Sequence, residues 1–521
     1  MVRQGTLPSD QWRDVDLDMS QYDHLFHSTR VPQSHAADTF TQSEHSTHIA
    51  VMASGLVYWF HVLSADGETC LPPETIASNL RSILHDAAST AHSTAQAQAL
   101  GAMTAGGRDE WAALRCNLQK DPANAESLEV IDSALFVLNL DDQTPKTLTE
   151  ASVNFLGGVS DFDATCGSQK GSCLNRWYDK TVQLIVCANG MAGVNFQHSH
   201  VDGHTVLRYA SDIITDSILR FAQSIRGGLP SILATLGHGP TGKPSAPQKI
   251  VWRLDAAQRL TLKQAEASLC DVLKQVEIEA LEFHSFGSRA IKAASMSPDA
   301  FVQAGIQLAY YRVYGTLDNT YETVMTKFFQ RGRTEPVRTF SDAMLRFVQV
   351  ACDEEALPEQ QLEAMRAALK EHSSRTKVAA AARGGERHLF ALKCLAERKG
   401  GALGVPALFK GVAWQRLNTN TVSTSNCGNP SLRLFGFGPV AAQGFGIGYL
   451  IKEDGIQFCI SSKCRQTSRF CATLQRSLRN MMRTARACGE PSPTAAAGSV
   501  PLGSVALTAF SESLDTTPAL R

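Results

Sequence analysis

Residues 182–204 read Val182-Gln183-Leu184-Ile185-Val186-Cys187-Ala188-Asn189-Gly190-Met191-Ala192-Gly193-Val194-Asn195-Phe196-Gln197-His198-Ser199-His200-Val201-Asp202-Gly203-His204. The apolar run 182–186 predicts a strand. Asn189-Gly190 supplies a tight turn, and Gly193-Val194-Asn195-Phe196 returns as the second strand of a hairpin. A helical segment over 205–224 follows, so His198 stands where the chain passes from sheet to helix. Between about 50 and 225, strand-like and helix-like segments alternate, as in an α/β chain.

The polar loop after the hairpin admits three chemistries. The order His198-x-His200-x-Asp202-Gly203-His204 approaches the ligand run of a binuclear metallohydrolase, but Gly203 displaces the last ligand by one position. A second reading makes the histidines ordinary hydrogen-bonded loop residues, which suits His200 and His204. A third pairs His198 with Asp202 in the pattern H-x-x-x-D-G. Histidine can take and return a proton near neutral pH, so His198 is a candidate general base, with Asp202 orienting the loop or meeting a cation.

Outward from the hairpin, the first forty-odd residues are polar and read as irregular. Residues 227–249 are rich in Gly and Pro, and their second half reads as a linker. The expected domains are therefore 1–240 and 241–489. Beyond the linker, Leu260, Ala265, Leu269, Val272, Leu273 and Val276 keep helical spacing. Ser297-Pro298 predicts a helix start, with Ser at the N-cap and Pro at the first helical position, leading into 300–314. Further helices are expected over 341–352 and 358–371. Strands are expected over 431–440 and 446–452, with Asp454-Gly455 turning into a strand over 456–462, and a helix over 468–486 closes the domain. From 490 the Pro-, Ala-, Ser- and Thr-rich tail is expected to be disordered. No internal repeat is evident.

Composition narrows the function classes. The 521 residues carry a formal net charge of −1, with 43% hydrophobic and 19% charged residues. No overall basic field calls for nucleic acid. No run of about 18 apolar residues predicts a transmembrane span, and the N-terminus lacks the apolar stretch of a secretory signal. The 13 cysteines include no C-x-x-C pair. Cys459, Cys464 and Cys471 fit neither a zinc site nor a disulfide scaffold, so reduced, mostly buried thiols in an intracellular protein are expected. A cytoplasmic location is the default; a mitochondrial or peroxisomal one is the alternative if the N-terminus is truncated.

A second candidate region lies far away. Ser423-Thr424-Ser425-Asn426 supplies hydroxyl donors of the kind acyl transfer aims at a developing oxyanion. Phe435-Gly436-Phe437-Gly438-Pro439-Val440 and Gly444-Phe445-Gly446-Ile447-Gly448-Tyr449 follow, with glycines that permit close approach between aromatics. By itself the run also reads as an ordinary polar turn before Gly-rich strands.

Taken together these stretches resemble the carnitine/choline acyltransferase family nearly end to end. The matching segments include Met19-Ser20-Gln21-Tyr22, Arg30-Val31-Pro32, Asn175-Arg176-Trp177-Tyr178-Asp179-Lys180, the His198 loop and Ser297-Pro298-Asp299-Ala300-Phe301. They continue through Gln307-Leu308-Ala309-Tyr310-Tyr311-Arg312, Thr320-Tyr321-Glu322, Gly332-Arg333-Thr334-Glu335 with Arg338, Glu386-Arg387-His388, and the Ser-Thr-Ser run with Phe437-Gly438-Pro439-Val440.

The resemblance implies two similar α/β domains with mixed sheets, each like a chloramphenicol acetyltransferase subunit, and an active-site tunnel at their interface. It implies direct, reversible acyl transfer between coenzyme A and L-carnitine. His198 would deprotonate the carnitine hydroxyl, or the CoA thiol in reverse, and Ser425 would donate to the oxyanion, with Ser423 and Phe437 on the substrate side. Arg387, Tyr321 and Thr334 match the positions that hold the carnitine carboxylate; choline enzymes lack this arginine. Lys292 and Asp299 match CoA-binding positions. Ser288 replaces a further lysine there, and Arg289 beside it is the expected substitute. Asn426 replaces a common glutamine. Phe435 stands where long-chain members have glycine, which predicts an acetyl or other short acyl group. No permanent cofactor and no metal are expected, with carnitine and acyl-CoA as small-molecule partners of a monomer. Family members usually carry a further, mainly helical N-terminal segment that has no counterpart here. A weakly active or inactive CoA- or acylcarnitine-binding relative, and a metallohydrolase acting through the histidine loop, are the alternatives.

Overall fold

The computed structural model describes residues 2, 5–12, 14–163, 168–226, 246–399, 404–429 and 431–488. The expected tail from 490 and most of the expected linker lie outside the described residues. Two compact units divide at Val276 and Glu277.

In the first unit, β1 (His48–Ala53), β2 (Leu56–His61), β3 (Val137–Asp141), β4 (Val182–Cys187), β5 (Ala192–Phe196) and β6 (Gln248–Ile250) form one sheet in the order β5-β4-β3-β1-β2-β6. The β1–β2 and β4–β5 pairs are antiparallel hairpins, and β3 runs parallel to both β1 and β4. The expected Asn189-Gly190 turn closes β4–β5. Gly190 has φ +82°, the region glycine enters without a Cβ penalty. Helix α1 (Gly203–Arg226) follows the His198 loop, as the sequence predicts.

The second unit contains β7 (Val276–Phe283), β8 (Thr320–Met325), β9 (Thr334–Arg338), β10 (Val422–Asn426), β11 (Phe445–Ile451) and β12 (Ile456–Lys463), ordered β7-β12-β11-β10-β8-β9. Here β8–β9 and β11–β12 are hairpins, and β10 runs parallel to β8 and β11. Both units therefore repeat one plan: a hairpin, a lone strand, a second hairpin, with the lone strand parallel and central. The sequence carries no visible repeat, yet the topology does. The α/β class with mixed sheets is as expected.

Helix α2 (Ala256–Gln275) sits in the first unit, where Leu262, Leu269 and Cys270 join the core with Trp111 and Trp177. The compact units thus divide later than the expected 240/241 boundary, because α2's apolar face packs on the first sheet's side. In the second unit α3 (Ser288–Ala293) precedes α4 (Pro298–Tyr314), whose N-cap Ser297 accepts from the Ala300 amide. Residues Ala300 to Tyr310 are all buried, so α4 is a central helix covered on every side. Helices α5 (Pro358–Ala380), α6 (Glu386–Lys399) and α7 (Thr467–Cys488) complete the parts used below.

Three expectations change. Residues 431–440 pair in no ladder. Their backbone runs over β11, where a Cβ on Gly446 would fall 2.7 Å from the Gly438 oxygen and one on Gly448 2.3 Å from the Phe435 oxygen. Glycine makes room for an overlying chain, not for a neighbouring strand. The N-terminal forty residues are not wholly irregular, since Ser28–Val31 pairs antiparallel with Thr39–Gln42. Among the described cysteines, Cys70, Cys116, Cys352 and Cys464 are exposed and Cys394 and Cys488 half-buried, so burial is less general than expected.

Candidate active-site residues in each unit

The turn after β5 shapes the His198 region. Its Nδ1 lies 2.7 Å from the Val201 carbonyl oxygen, an acceptor only, so Nδ1 carries the proton of the neutral ring. Nε2 is then the basic nitrogen, as a general base requires. The ring is largely exposed, with 61% of its side chain accessible.

Asp202 is buried, and its Oδ1 is 3.5 Å from His198 Nδ1, farther than the Val201 oxygen. The Val201 oxygen is thus the nearer acceptor, and the Asp202 carboxylate is a nearby charge. Gln21 fixes it. Gln21 Nε2 donates to Asp202 Oδ2 at 2.7 Å, while Gln21 Oε1 accepts from the Asp202 amide at 2.8 Å and the Thr205 hydroxyl at 2.9 Å. That anchoring role escaped the sequence reading; the only signal was Gln21's place in a family-like segment. His200 stacks on Phe40 at 3.7 Å between centroids, and His204 Nδ1 lies 3.6 Å from Asp10. Both belong to packing, and the loop gathers no three-ligand group among the described residues.

In the second unit Tyr321, on β8, Thr334, on β9, and Arg387, on α6, converge. Arg387 Nη2 donates to the Tyr321 hydroxyl at 3.1 Å and to Thr334 Oγ1 at 3.3 Å, while its Nε donates to the Thr334 carbonyl at 3.0 Å. A half-buried hydroxyl pair beside an exposed guanidinium can hold a carboxylate by charge and by directed donors. Arg338 backs this group. It pairs with Glu386 at 2.6 Å, which fixes the start of α6, and lies 5.7 Å over the Tyr321 ring.

The Ser-Thr-Ser run is a strand rather than a turn. Ser423, Thr424 and Ser425 form the middle of β10, in register with β8 (Tyr321↔Ser423, Glu322↔Thr424) and β11 (Ser425↔Gly448). Ser423 is buried and Ser425 half-buried. Ser425 Oγ stands 3.9 Å from Cys427 Sγ. Burial pushes that thiol up to about 12, so it stays neutral beside the serine. Phe435 and Phe437 are half-buried with ring centroids 6.1 Å apart, and the Phe437 carbonyl accepts from Ser461.

The three expected CoA-side residues have different surroundings. Lys292, on α3, is exposed. Arg289 is engaged by Glu453 at 2.6 Å and Asp454 at 3.2 Å, so its charge is largely met on the protein. Asp299 Oδ1 accepts from Asn426 Nδ2 at 2.9 Å and lies 2.8 Å from the Tyr449 hydroxyl.

Behind Asp299 is a buried charged group that sequence reasoning missed. His372 Nε2, on α5, is 3.1 Å from Glu322 Oε2 and 3.7 Å from Asp299 Oδ2. Neither atom of the shorter contact has a well-aligned hydrogen bond, so charge rather than a linear bond holds it. Burial works to lower the His372 imidazole, but Glu322 and Asp299 outweigh it and push it up to about 10. Burial, with the Asp299 charge, raises the Glu322 carboxyl. Among the described residues this is the one set whose ligand atoms lie close enough to share a metal ion, within 4.8 Å of one another. The protonated imidazole supplies the positive charge there.

Known proteins similar to this chain over most of its length are carnitine acyltransferases. A putative mitochondrial carnitine O-acetyltransferase of Saccharomyces cerevisiae is 38% identical over 509 residues, covering 92% of this chain and 73% of its own. Human mitochondrial carnitine O-palmitoyltransferase 2 is 35% identical, covering 89% of this chain and 66% of its own, so the chain spans about two thirds of that relative. Mouse carnitine O-acetyltransferase is 28% identical, with 90% and 72% covered. The profile described as choline/carnitine O-acyltransferase matches residues 1–476, a span that holds the His198 loop, the Arg387 cluster and the β10 serines alike. With the pattern continuous across both units, the chain belongs to the choline/carnitine O-acyltransferase family.

Proposed function

We propose that the protein is a carnitine O-acetyltransferase, moving a short acyl group reversibly between coenzyme A and L-carnitine. The observation that carries the reading is the convergence of Arg387, Tyr321 and Thr334. A guanidinium flanked by two hydroxyls suits the carboxylate that carnitine has and choline lacks. In the forward step His198 Nε2 takes the proton of the carnitine hydroxyl as its oxygen bonds to the thioester carbonyl carbon. Ser425 donates to the resulting oxyanion. Collapse breaks the carbon–sulfur bond, and the imidazolium returns the proton to the departing CoA thiolate. Asp202 steadies the imidazolium, and no acyl-enzyme forms.

The CoA site is assigned to Lys292, with Arg289 and Asp299 in supporting places. Phe435 closes the acyl pocket against long chains, and Ser423 and Phe437 flank the substrate. The protein is proposed to act as a monomer in an intracellular setting; the yeast relative's description as mitochondrial makes that compartment the first to examine. No helix among the described residues is long and apolar enough to cross a membrane.

The test is carnitine-dependent thiol release from acetyl-CoA. Wild type is expected to turn over, and His198→Ala to lose about 10²- to 10⁴-fold, the range of a general base. Absence of carnitine-dependent release from wild type defeats the reading in favour of an inactive relative. An octanoyl-CoA rate equal to the acetyl-CoA rate defeats the short-chain assignment, and Phe435→Gly is expected to raise it.

A further inference from the structure

Successive residues of a strand point to opposite faces of a sheet. In the second unit this alternation sorts the candidate site. Tyr321, Ser423 and Ser425 lie on one face of β8 and β10. Glu322 and Thr424, side by side in register, lie on the other. The first face holds the groups assigned above to substrate. The second is occupied by a connected set of polar side chains from α4, α5 and β11, with Thr339 just past β9.

The connections are specific. Gln303, on α4, donates from one amide nitrogen to Thr424 Oγ1 and to the Tyr449 hydroxyl, both at 2.9 Å. Its Oε1 accepts from the Thr339 hydroxyl at 3.1 Å. Thr424 Oγ1 in turn donates to the Tyr321 carbonyl at 2.9 Å, tying β10 to β8 beside the ladder. The Tyr449 hydroxyl, from β11, lies 2.8 Å from Asp299 and 3.0 Å from Glu322 and gives its one proton to one of them. His372 closes the set from α5, with its side chain only 2% exposed.

Burying two carboxylates and an imidazolium costs free energy unless they are mutually compensated, and a less polar packing of equal volume would serve stability as well. The hydrogen-bonded part, running through Gln303, Thr424 and Tyr449, fixes a geometry, and His372 joins it by charge without an aligned hydrogen bond. The backbone it fixes belongs to the residues whose neighbours face substrate.

We propose that His372, Glu322 and Tyr449 are positioning residues: from the helix side of the sheet they set the height and register of β8 and β10, and so hold Tyr321 against Arg387 and aim Ser425. None of the three is assigned to touch substrate. The inference rests on the acyltransferase reading of Tyr321 and Ser425.

Tyr449→Phe and His372→Gln test it in the full-length protein, with Glu322→Gln/His372→Gln as the charge-neutral conservative pair. Tyr449→Phe removes one oxygen and keeps the ring. With soluble folded protein, kcat with acetyl-CoA is expected to fall about 10-fold and the KM for L-carnitine to rise; the KM for acetyl-CoA reports separately on Asp299, the CoA-side residue that Tyr449 and His372 also meet. The double variant is expected to recover part of the loss of His372→Gln. Wild-type kcat and carnitine KM in both single variants would overturn the proposal. A loss explained wholly by a smaller folded fraction, read by calorimetry and circular dichroism, would overturn it as well. An inactive wild type would instead sink the acyltransferase reading. Amide hydrogen exchange across Val422–Asn426 speaks without turnover: Tyr449→Phe should speed it about 10-fold, and unchanged exchange counts against the proposal.

Discussion

At the scale of single residues, the site is a matter of which donors face which charge. Arg387 spends its guanidinium on Tyr321 and Thr334 and stays exposed, so a carboxylate can be added at little rearrangement. Arg387→Ala should raise the carnitine KM roughly 10- to 100-fold, the worth of one or two charge-assisted hydrogen bonds, with the acetyl-CoA KM unchanged. Arg387→Lys should recover only part, since an ammonium has no fork. Steady-state kinetics with each substrate varied separately decides this, and an unchanged carnitine KM would remove Arg387 from the site. The proposed site residues His198, Ser425, Tyr321, Thr334 and Arg387 could be singled out in the sequence because they sit in recognisable blocks. Gln303 and His372 could not, and Gln21, though inside a matching block, carried no sign of its anchoring role. Each is a single polar residue whose partner is far away along the chain. Only burial beside opposite charge gives such a residue meaning, and burial is a property of the folded molecule.

Elements show where pattern reading holds and where it fails. The β4–β5 hairpin and the start of α4 were legible because turn and cap chemistry is local: Gly190 takes positive φ, and Ser297 caps with its own hydroxyl. The strand β10 was not. Central parallel strands normally read as apolar runs, and Ser423-Thr424-Ser425 reads as a turn. Its hydroxyls are affordable there because Gln303 and the Tyr321 carbonyl satisfy Thr424. The segment 431–440 failed in the opposite sense. Its alternation looked like a strand, but it lies across β11. Gly448 marks the crossing, and Gly448→Ala would press a Cβ against the Phe435 carbonyl at 2.3 Å. That overpacking should cost about 1–3 kcal/mol and lower Tm, with activity reduced further because Gly448 is the register partner of Ser425. A wild-type melting temperature would show that 431–440 can lift away freely.

For the whole molecule, the two units should answer pH in opposite directions. His372, pushed up to about 10, sits above its ordinary 6.5. Its contribution is therefore fully present below pH 6.5 and is lost as pH rises toward 10. In the first unit burial brings the Lys180 amine down to about 7 from 10.5, where it donates to the Ile131 and Asp132 carbonyls. The unfolded chain binds that proton more readily between pH 7 and 10.5, so the first unit gains stability as pH rises. Each effect is limited to about 1.4 kcal/mol per pH unit. Hydrogen exchange in the core strands of the two units, compared at pH 7 and 9.5 after correction for intrinsic rates, should show β10–β11 weakening relative to β3–β4. His372→Gln should flatten the second unit's response, and parallel behaviour of the two units would contradict the assignment.

The repeated hairpin, strand, hairpin plan has an evolutionary consequence. If both units descend from one ancestral gene segment, each once offered the same two places for chemistry: the loop after the last strand and the central lone strand. The first copy kept the loop, which carries His198. Its central strand β3 has been turned over to support, with Asp141 locked to Arg176 in a fully buried pair. The second copy kept the central strand, which carries Ser425. Its loop after β12 has been turned over likewise, with Arg465 resting 4.7 Å over the Tyr314 ring. Complementary losses of this kind make the copies mutually dependent. If His198 and Ser425 serve the proposed transfer, neither copy can be shed and neither can recover the other's task by a single substitution, so the doubled chain is preserved long after its sequences have drifted beyond mutual recognition.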